Sequence, residues 1–372
     1  MSRYVIVLAG ALAGFAVGYG QAAVMAEWGF EQGIGGWQSI DPQAQVTVAA
    51  GEAQAAEGAF SLHISYTRPA TAADLQQRGP MLGGIVKQIE QPFEGKPTCL
   101  EFAVRTNMLT TLVSVANESD GSTYTRPVTV LPGQWQRVAL YLDEFSLSDD
   151  SQDENSQLDG DQIRGIGFVD AYGIFLMMVE GAQTGPFRVA GLKSGQNELW
   201  LDAVKLTDRQ LERAFTVEDG SRDIPRFVAI LGPDLEVARA EQGVKDKPAW
   251  ELRYALDDGQ VGFVVWALRP GLVAESMGLH VVLGTLSETT LLLQVEEKDG
   301  SKYNHVLQLG AGQEVDEVIA WPNFTLDDQS TDENGRLDPG ELKSVLLGDA
   351  TGIFTGKGRK NVLKIGLIEP VK

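Results

Sequence analysis

Asp120-Gly121-Ser122-Thr123-Tyr124 and Asp299-Gly300-Ser301-Lys302-Tyr303 stand 179 residues apart, and that spacing decides how the chain is read. At the same offset Asp153-Glu154-Asn155 recurs as Asp332-Glu333-Asn334, and Gly173-Ile174-Phe175 as Gly352-Ile353-Phe354. Residues 99–175 align with 278–354 without a gap, with 26 identities in 77 positions. A period this long exceeds a solenoid unit and reads as two copies of one domain. Most of the chain is therefore one architecture used twice, and no separate catalytic domain is left over.

Working outward, helix signals are nearly absent and strand signals recur. Phe60-Ser-Leu62-His-Ile64-Ser-Tyr66 and Trp250-Glu-Leu252-Arg-Tyr254-Ala-Leu256 alternate apolar and polar residues, the period of a half-buried strand. Leu100 to Arg105, Arg137 to Leu142 and Leu199 to Leu206 continue the pattern. Asp120-Gly121 and Asp299-Gly300 sit between such runs and predict hairpin turns. Many short strands with Gly, Asp and Pro turns predict an all-β chain of two tandem β-sandwich, jelly-roll domains. The first copy carries nine more residues between the Tyr66 strand and Gly83 than the second carries between Tyr254 and Gly262, and about fifteen more after Phe175. Loop changes of this kind are tolerated on a sandwich and often alter binding.

Residues 1–26 read as a secretory signal peptide: Arg3, an apolar run from Val5 to Val17, and small-residue cleavage sites ending at Ala22 and Ala26. The first domain then spans 27–208 and the second, diverged one 209–372. No other apolar stretch reaches the roughly 20 residues of a membrane helix, so no membrane insertion is expected after cleavage. The single Cys99 forms no internal disulfide and starts an apolar strand, where it reads as a small buried hydrophobe. An exported chain without disulfides points to a secreted or periplasmic, bacterial protein. The formal charge of −21 repels nucleic acid and anionic lipid, which removes both as partners.

Several stretches in succession resemble a known type. They are Trp28-Gly-Phe-Glu31-Gln-Gly33 with Gly36-Trp37, then Glu57-Gly58-Ala-Phe-Ser61-Leu62, then Gly133-Gln-Trp135-Gln-Arg-Val138, then Leu158-Asp159, and last Leu199-Trp-Leu201-Asp202-Ala-Val204. Their order is similar to that of family 11 carbohydrate-binding modules and of the complex I intermediate-associated protein 30 family, within the galactose-binding-like group of jelly rolls. The second copy has Glu314 at the Trp135 position and Gly366 at the Asp202 position. The resemblance implies a glycan ligand. It also implies a structural Ca²⁺ held by Glu31 of the first strand and Asp202 of the last; two carboxylates with backbone carbonyls suit a hard cation. Copy two, with Gly366, is not expected to hold that ion.

Two readings compete for the acidic loops. Ser330 to Glu341 tracks the later positions of an EF-hand loop, but Ser330 replaces the first acidic ligand and the flanks read as strands. The same residues make a capped turn, with Asp338 as N-cap, Pro339 at N1 and Glu341 completing the box; Asp159 and Gln162 repeat it. Catalytic signals are poor. The only histidines are His63, His280 and His305, without metal-ligand spacing, and no nucleophile elbow or phosphate loop occurs.

Strand parity points Tyr66 and Tyr254 inward and turns Arg137 and Tyr141 away from the core of Val138, Leu140 and Leu142. In copy one, His63, Arg105, Arg126, Tyr141, Asp170 and Tyr172 are the candidates for a polar groove edged by aromatic rings. Sugars stack C–H faces on rings and bond hydroxyls to charged planar groups. Copy two has His305, Ala320, Asp349 and Thr351 at the offsets of Arg126, Tyr141, Asp170 and Tyr172. The expectation is an exported, non-catalytic protein binding polysaccharide or another glycan through its first domain. A structural or protein-interaction module with cell-surface protein partners is the alternative class. A hydrolase would need two carboxylates held across a cleft.

Overall fold

A computed structural model describes residues 22–372 except 52, 76–77, 92, 184–187 and 211–214. The signal-peptide reading falls mostly outside the described residues. Its last part does not: Val24–Trp28 is a strand paired with the end of Gly195–Thr207, Val24 facing Thr207 and Ala26 facing Leu206. A domain beginning at residue 27 cuts this strand, whereas cleavage after Ala22 leaves it whole. Among the described residues no helix is long and apolar enough to cross a membrane.

The chain is all-β, built as antiparallel sandwiches. Sheet one has the order Gln45–Ala50, Phe60–Arg68, Gly195–Thr207, Cys99–Thr106, Gln136–Tyr141, with Val24–Trp28 also on Gly195–Thr207. Sheet two runs Ser146–Leu147, Thr123–Val130, Thr110–Glu118, Ile163–Asp170, Leu82–Gln88, Trp37–Ser39. Alternation works as the sequence predicts. Leu62, Ile64, Tyr66, Leu199 and Leu201 meet Leu112, Ala116 and Phe168 in a dry core in which Trp37 stacks on Phe168 at 5.9 Å. Each such large side chain contributes about 1.5–3 kcal/mol by leaving water.

The second half repeats this order. Sheet three runs Glu236–Arg239, Trp250–Leu256, Arg359–Val371, Gly278–Thr285, Glu314–Ala320, with Glu218–Asp219 also on Arg359–Val371. Sheet four holds Gln260–Ala267, Leu342–Asp349, Thr289–Glu297, Lys302–Leu309 and Thr325–Leu326, the counterparts of sheet two in the same sequence. The shared identities have local causes. Gly121 and Gly300 take φ of 97° and 94° in the two hairpins, a backbone region that favours glycine. A Cβ on Gly173 would stand 2.4 Å from the Pro80 carbonyl oxygen, and one on Gly352 2.4 Å from that of Gln260.

Two elements depart from expectation. The insertion after Phe175 lengthens a helix, α1 (Tyr172–Ala182), whose first turn recurs in copy two as Thr351–Thr355; it buries Tyr172, Leu176 and Val179 and leaves Ile174, Met177 and Met178 exposed. Its run Ile-Phe-Leu-Met-Met-Val has no amphipathic period, so no helix signal arises and the insertion reads as loop. Arg188–Val189, from the same insertion, then pairs in parallel with Gln260–Val261 and extends sheet four. A segment inside 27–208 thus belongs to the second sandwich's sheet, and the contiguous division at 208/209 does not separate the two.

The copies are also fused side to side. Leu131 and Ala190 pack in the second core, and Ile224 in the first. Arg126 Nη1 donates to the Ala267 carbonyl at 2.7 Å, Arg226 Nη2 to that of Ala139 at 2.7 Å, and the Thr129 hydroxyl to that of Phe227.

Candidate functional site

The six residues expected to share a groove divide between two places. His63, Arg105 and Tyr141 lie on the outer face of sheet one, because their parity is opposite to Leu62, Val104 and Leu140. Arg126, Asp170 and Tyr172 do not join them, and each is buried. Arg126 shares the inward parity of Tyr124 and Val128 at the open edge of the sandwich, where the second copy covers it.

Asp170 is the acceptor at the centre of a buried network. Its Oδ2 receives the Tyr66 hydroxyl at 2.8 Å and Arg68 Nε at 2.7 Å, and its Oδ1 receives the Tyr172 backbone N–H at 3.0 Å. Asn197 Nδ2 bonds the Tyr66 oxygen and Thr110 Oγ1. The Tyr172 hydroxyl donates to the Pro69 carbonyl. Copy two rebuilds the network with Tyr254, Asp349, Asn361 and Thr289. Its guanidinium comes from Arg359, on the last strand, rather than from an equivalent of Arg68. Both copies keep this network around the Asp but not around Tyr172, where copy two has Thr351; Asp170 and Tyr172 also line a separate cleft with Arg68, Leu192 and Leu235, apart from His63, Arg105 and Tyr141.

The outer face of sheet one carries what remains. The His63 ring stacks on Trp200 at 4.8 Å, and the Arg105 guanidinium lies 4.1 Å over Trp200 and 5.4 Å over Trp135. Arg105 also donates to the Ala53 carbonyl at 2.6 Å and to Gln54 Oε1 at 2.7 Å. Burial pushes the His63 imidazole below its usual pKa, and the Arg105 guanidinium over Trp200 is a cation–π contact. Trp200 is only 8% exposed under this cover and offers no open platform.

Further along the same face a groove of about 530 Å³ opens between the copies. Tyr141, Arg137 and Lys205 form one wall and Arg222, Asp223 and Arg226 of the second copy the other. Glu57 spans Arg137, at 2.6 Å, and Lys205, at 3.2 Å. The hydrogen bond from Arg137 holds the Glu57 carboxyl below the ordinary range, burial opposing it. Sequence parity found Tyr141 and Arg137. It missed Arg222 and Arg226, because nothing in a strand pattern says which surface a second copy will face.

The calcium expectation meets a different chemistry. Asp202 Oδ2 accepts the Ala56 and Glu57 backbone N–H groups at 2.8 Å each, and Oδ1 that of Ala203 at 2.7 Å. Glu31 Oε1 accepts those of Ala59 and Phe60. Both carboxylates converge on residues 56–60, but they meet N–H donors, and a cation needs six to eight oxygens. The pair fits a loop anchor and does not fit a calcium cage. Asp202→Asn is therefore expected to lower the melting temperature equally in EDTA and in calcium. A loss seen only in calcium would restore the cation.

The acidic loops form short 3₁₀ turns, Gly160–Gln162 and Pro339–Glu341, but Asp159 and Asp338 do not cap them through their side chains. Those carboxylates take Asn155 and Asn334 instead. Beside them, Glu118, Asp120 and Asp153 each bring a carboxylate oxygen within 4.8 Å of the others, as do Glu297, Asp299 and Asp332 in copy two. Three such oxygens suit a hard cation. In both copies Asp120 or its counterpart also accepts the next Ser backbone N–H, and Asp153 or its counterpart the Tyr hydroxyl. Burial raises the Glu118 and Glu297 carboxyls. The thiol of Cys99 is buried and pushed up to about 12 by that burial, as expected of an inert core cysteine.

No protein-family model matches the chain, and no curated protein does. Among solved structures it is similar to a family 11 carbohydrate-binding module from Clostridium thermocellum in complex with a β-1,3-1,4-mixed-linked tetrasaccharide, at 14% identity and TM-score 0.33, over 42% of this chain and 94% of that one. Another is the family 11 module of the cellulosomal cellulase Lic26A-Cel5E of Clostridium thermocellum, at 16% identity and TM-score 0.34, over 52% and 98%. A third is the N-terminal CBM22-1–CBM22-2 tandem domain of Paenibacillus barcinonensis Xyn10C, at 11% identity and TM-score 0.26, over 94% and 97%.

Proposed function

We propose that the protein is an exported, non-catalytic polysaccharide-binding protein whose ligand lies in the groove on the outer face of the first sandwich's sheet. The observation that carries this is the groove itself, open and lined by Tyr141, Arg137 and Lys205 of the first sheet. A ring, charged forks and a flat floor are what a sugar chain uses, stacking with one group and bonding with the others. The order of motifs from Trp28 to Val204 supports the same reading. Glu57, held low by Arg137, is a poor general acid.

Affinity electrophoresis of the full chain in soluble β-glucans and acidic polysaccharides tests this. The chain is expected to be retarded in at least one. One lost stacking contact at about 0.5–1.5 kcal/mol makes Tyr141→Ala bind roughly two- to tenfold more weakly. Retardation unchanged by Tyr141→Ala would remove this site. Failure across a broad panel would favour the protein-interaction class, for which Ile174, Met177 and Met178, 40–44% exposed on α1, are the specific support.

A further inference from the structure

We propose that the groove between the copies takes an acidic polysaccharide, binding its carboxylate or sulfate ester groups rather than a neutral chain. The proposal rests on the polysaccharide reading above and narrows its ligand class. Among the described residues the groove is lined by five cationic side chains, Arg137, Lys205, Arg209, Arg222 and Arg226, against three carboxylates. That excess stands on a chain whose formal charge is −21. Long-range repulsion from the rest of the surface fades within a Debye length of about 8 Å at physiological salt, so the local charge decides what enters.

The stronger observation is Arg226. It is 7% exposed and lines the groove, while its Nε and Nη1, themselves closed off from solvent, make no hydrogen bond and Nη1 faces Glu144. Glu144 Oε2 stands 3.8 Å from Nη1, too far to accept from it. Arg222 Nη1 lies 3.9 Å from Glu144 Oε1, so the two guanidinium groups share one buried carboxylate at long range. Buried donors left without a partner are costly to the fold. A carboxylate or sulfate is the group that matches a planar fork with two parallel acceptors.

The second copy shows the opposite sign at corresponding positions. Arg137 corresponds to Asp316, and Lys205 to Glu369. There the two acids close on His280, at 2.7 and 2.9 Å. The basic groove on the first sheet thus has no like-signed counterpart at these positions of the second copy, and it is completed by that copy's Arg222 and Arg226.

The test measures the full chain against polygalacturonate, neutral mixed-linked β-glucan and inorganic sulfate, at low and high salt. Polygalacturonate is expected to bind more tightly than β-glucan and to weaken with salt. The exposed double variant Arg137→Ala, Arg209→Ala is expected to weaken it roughly tenfold or more, as is Arg222→Ala, whereas Arg253→Ala on sheet three changes nothing. Binding of β-glucan but not polygalacturonate overturns the acidic ligand and leaves the polysaccharide reading standing. Polygalacturonate binding indifferent to all the groove variants also overturns it. Failure of every polysaccharide sinks both, and a melting-temperature rise with sulfate alone would assign the groove to a small free anion instead.

Discussion

Asp170→Ala is expected to destabilise the chain by about 3–5 kcal/mol, the range for removing one partner of a buried ion pair. Arg68 and Asp170 are 4% and 1% exposed. Without the carboxylate, the guanidinium keeps only Leu109 O and Thr110 Oγ1 as acceptors, its Nε has none, and the Tyr172 N–H is orphaned. The matched change in copy two, Asp349→Ala, is expected to cost less, roughly 1–3 kcal/mol. Arg359 is 14% exposed and stands 3.5 Å from Asp349, so water can recover part of what it loses. Urea midpoints of the two variants provide the comparison. Equal losses would show that the exposure of Arg359 does not soften the second network, and an Asp170→Ala loss under about 1 kcal/mol would show that the first network is ornamental to stability.

The second large effect lies at the junction. Glu144 is 1% exposed and faces Arg222 and Arg226. Burial raises its pKa, but Arg226, Arg126 and Arg222 outweigh burial and hold the carboxyl below the usual range. Burial also lowers Arg226, to about 10. Glu144→Gln keeps the shape and removes the charge, leaving three guanidinium groups to repel each other in a poorly solvated place. A loss of about 2–4 kcal/mol is expected. Adding Arg226→Met should return part of it, since replacing a whole buried pair by apolar groups is often neutral.

The pH dependence follows in sign. A carboxyl whose folded pKa is depressed contributes stability that is present above its unfolded pKa of about 4.3 and is lost as pH falls through the folded value. The wild type should therefore lose more stability than Glu144→Gln on acidification below about pH 4. Identical acid profiles would place the carboxylate's contribution elsewhere. Because the pair joins the copies, calorimetry of Glu144→Gln should also show the two sandwiches melting further apart than in the wild type.

Much of the fold was legible because sandwich strands announce themselves locally. Leu62-His-Ile64-Ser-Tyr66 alternates since one face meets a core and the other water, and the structure places each side chain accordingly. The constant offset between Asp120-Gly121 and Asp299-Gly300 required one strand order twice, and the sheets keep it. The helix Tyr172–Ala182 escaped because its apolar run has no period that separates it from a buried strand. Arg188–Val189 escaped because a two-residue strand exists only where a free sheet edge is waiting for it.

The candidate site was half legible. Parity turned Arg137 and Tyr141 outward, and they are on the groove wall. Parity cannot tell a polar residue at a solvated rim from one sealed in a network: Asp170 and Tyr172 are buried away from Tyr141, and the second copy covers Arg126. The sequence by itself determined the duplication, the all-β class, which residues face each core, and the burial of Cys99, because those depend on local period and composition. Only the tertiary structure decided that the two copies share cores, that Arg226 meets Arg222 around Glu144, and that a basic groove forms on an acidic chain. Those depend on how two surfaces dock, and docking joins residues about a hundred positions apart that no local pattern relates.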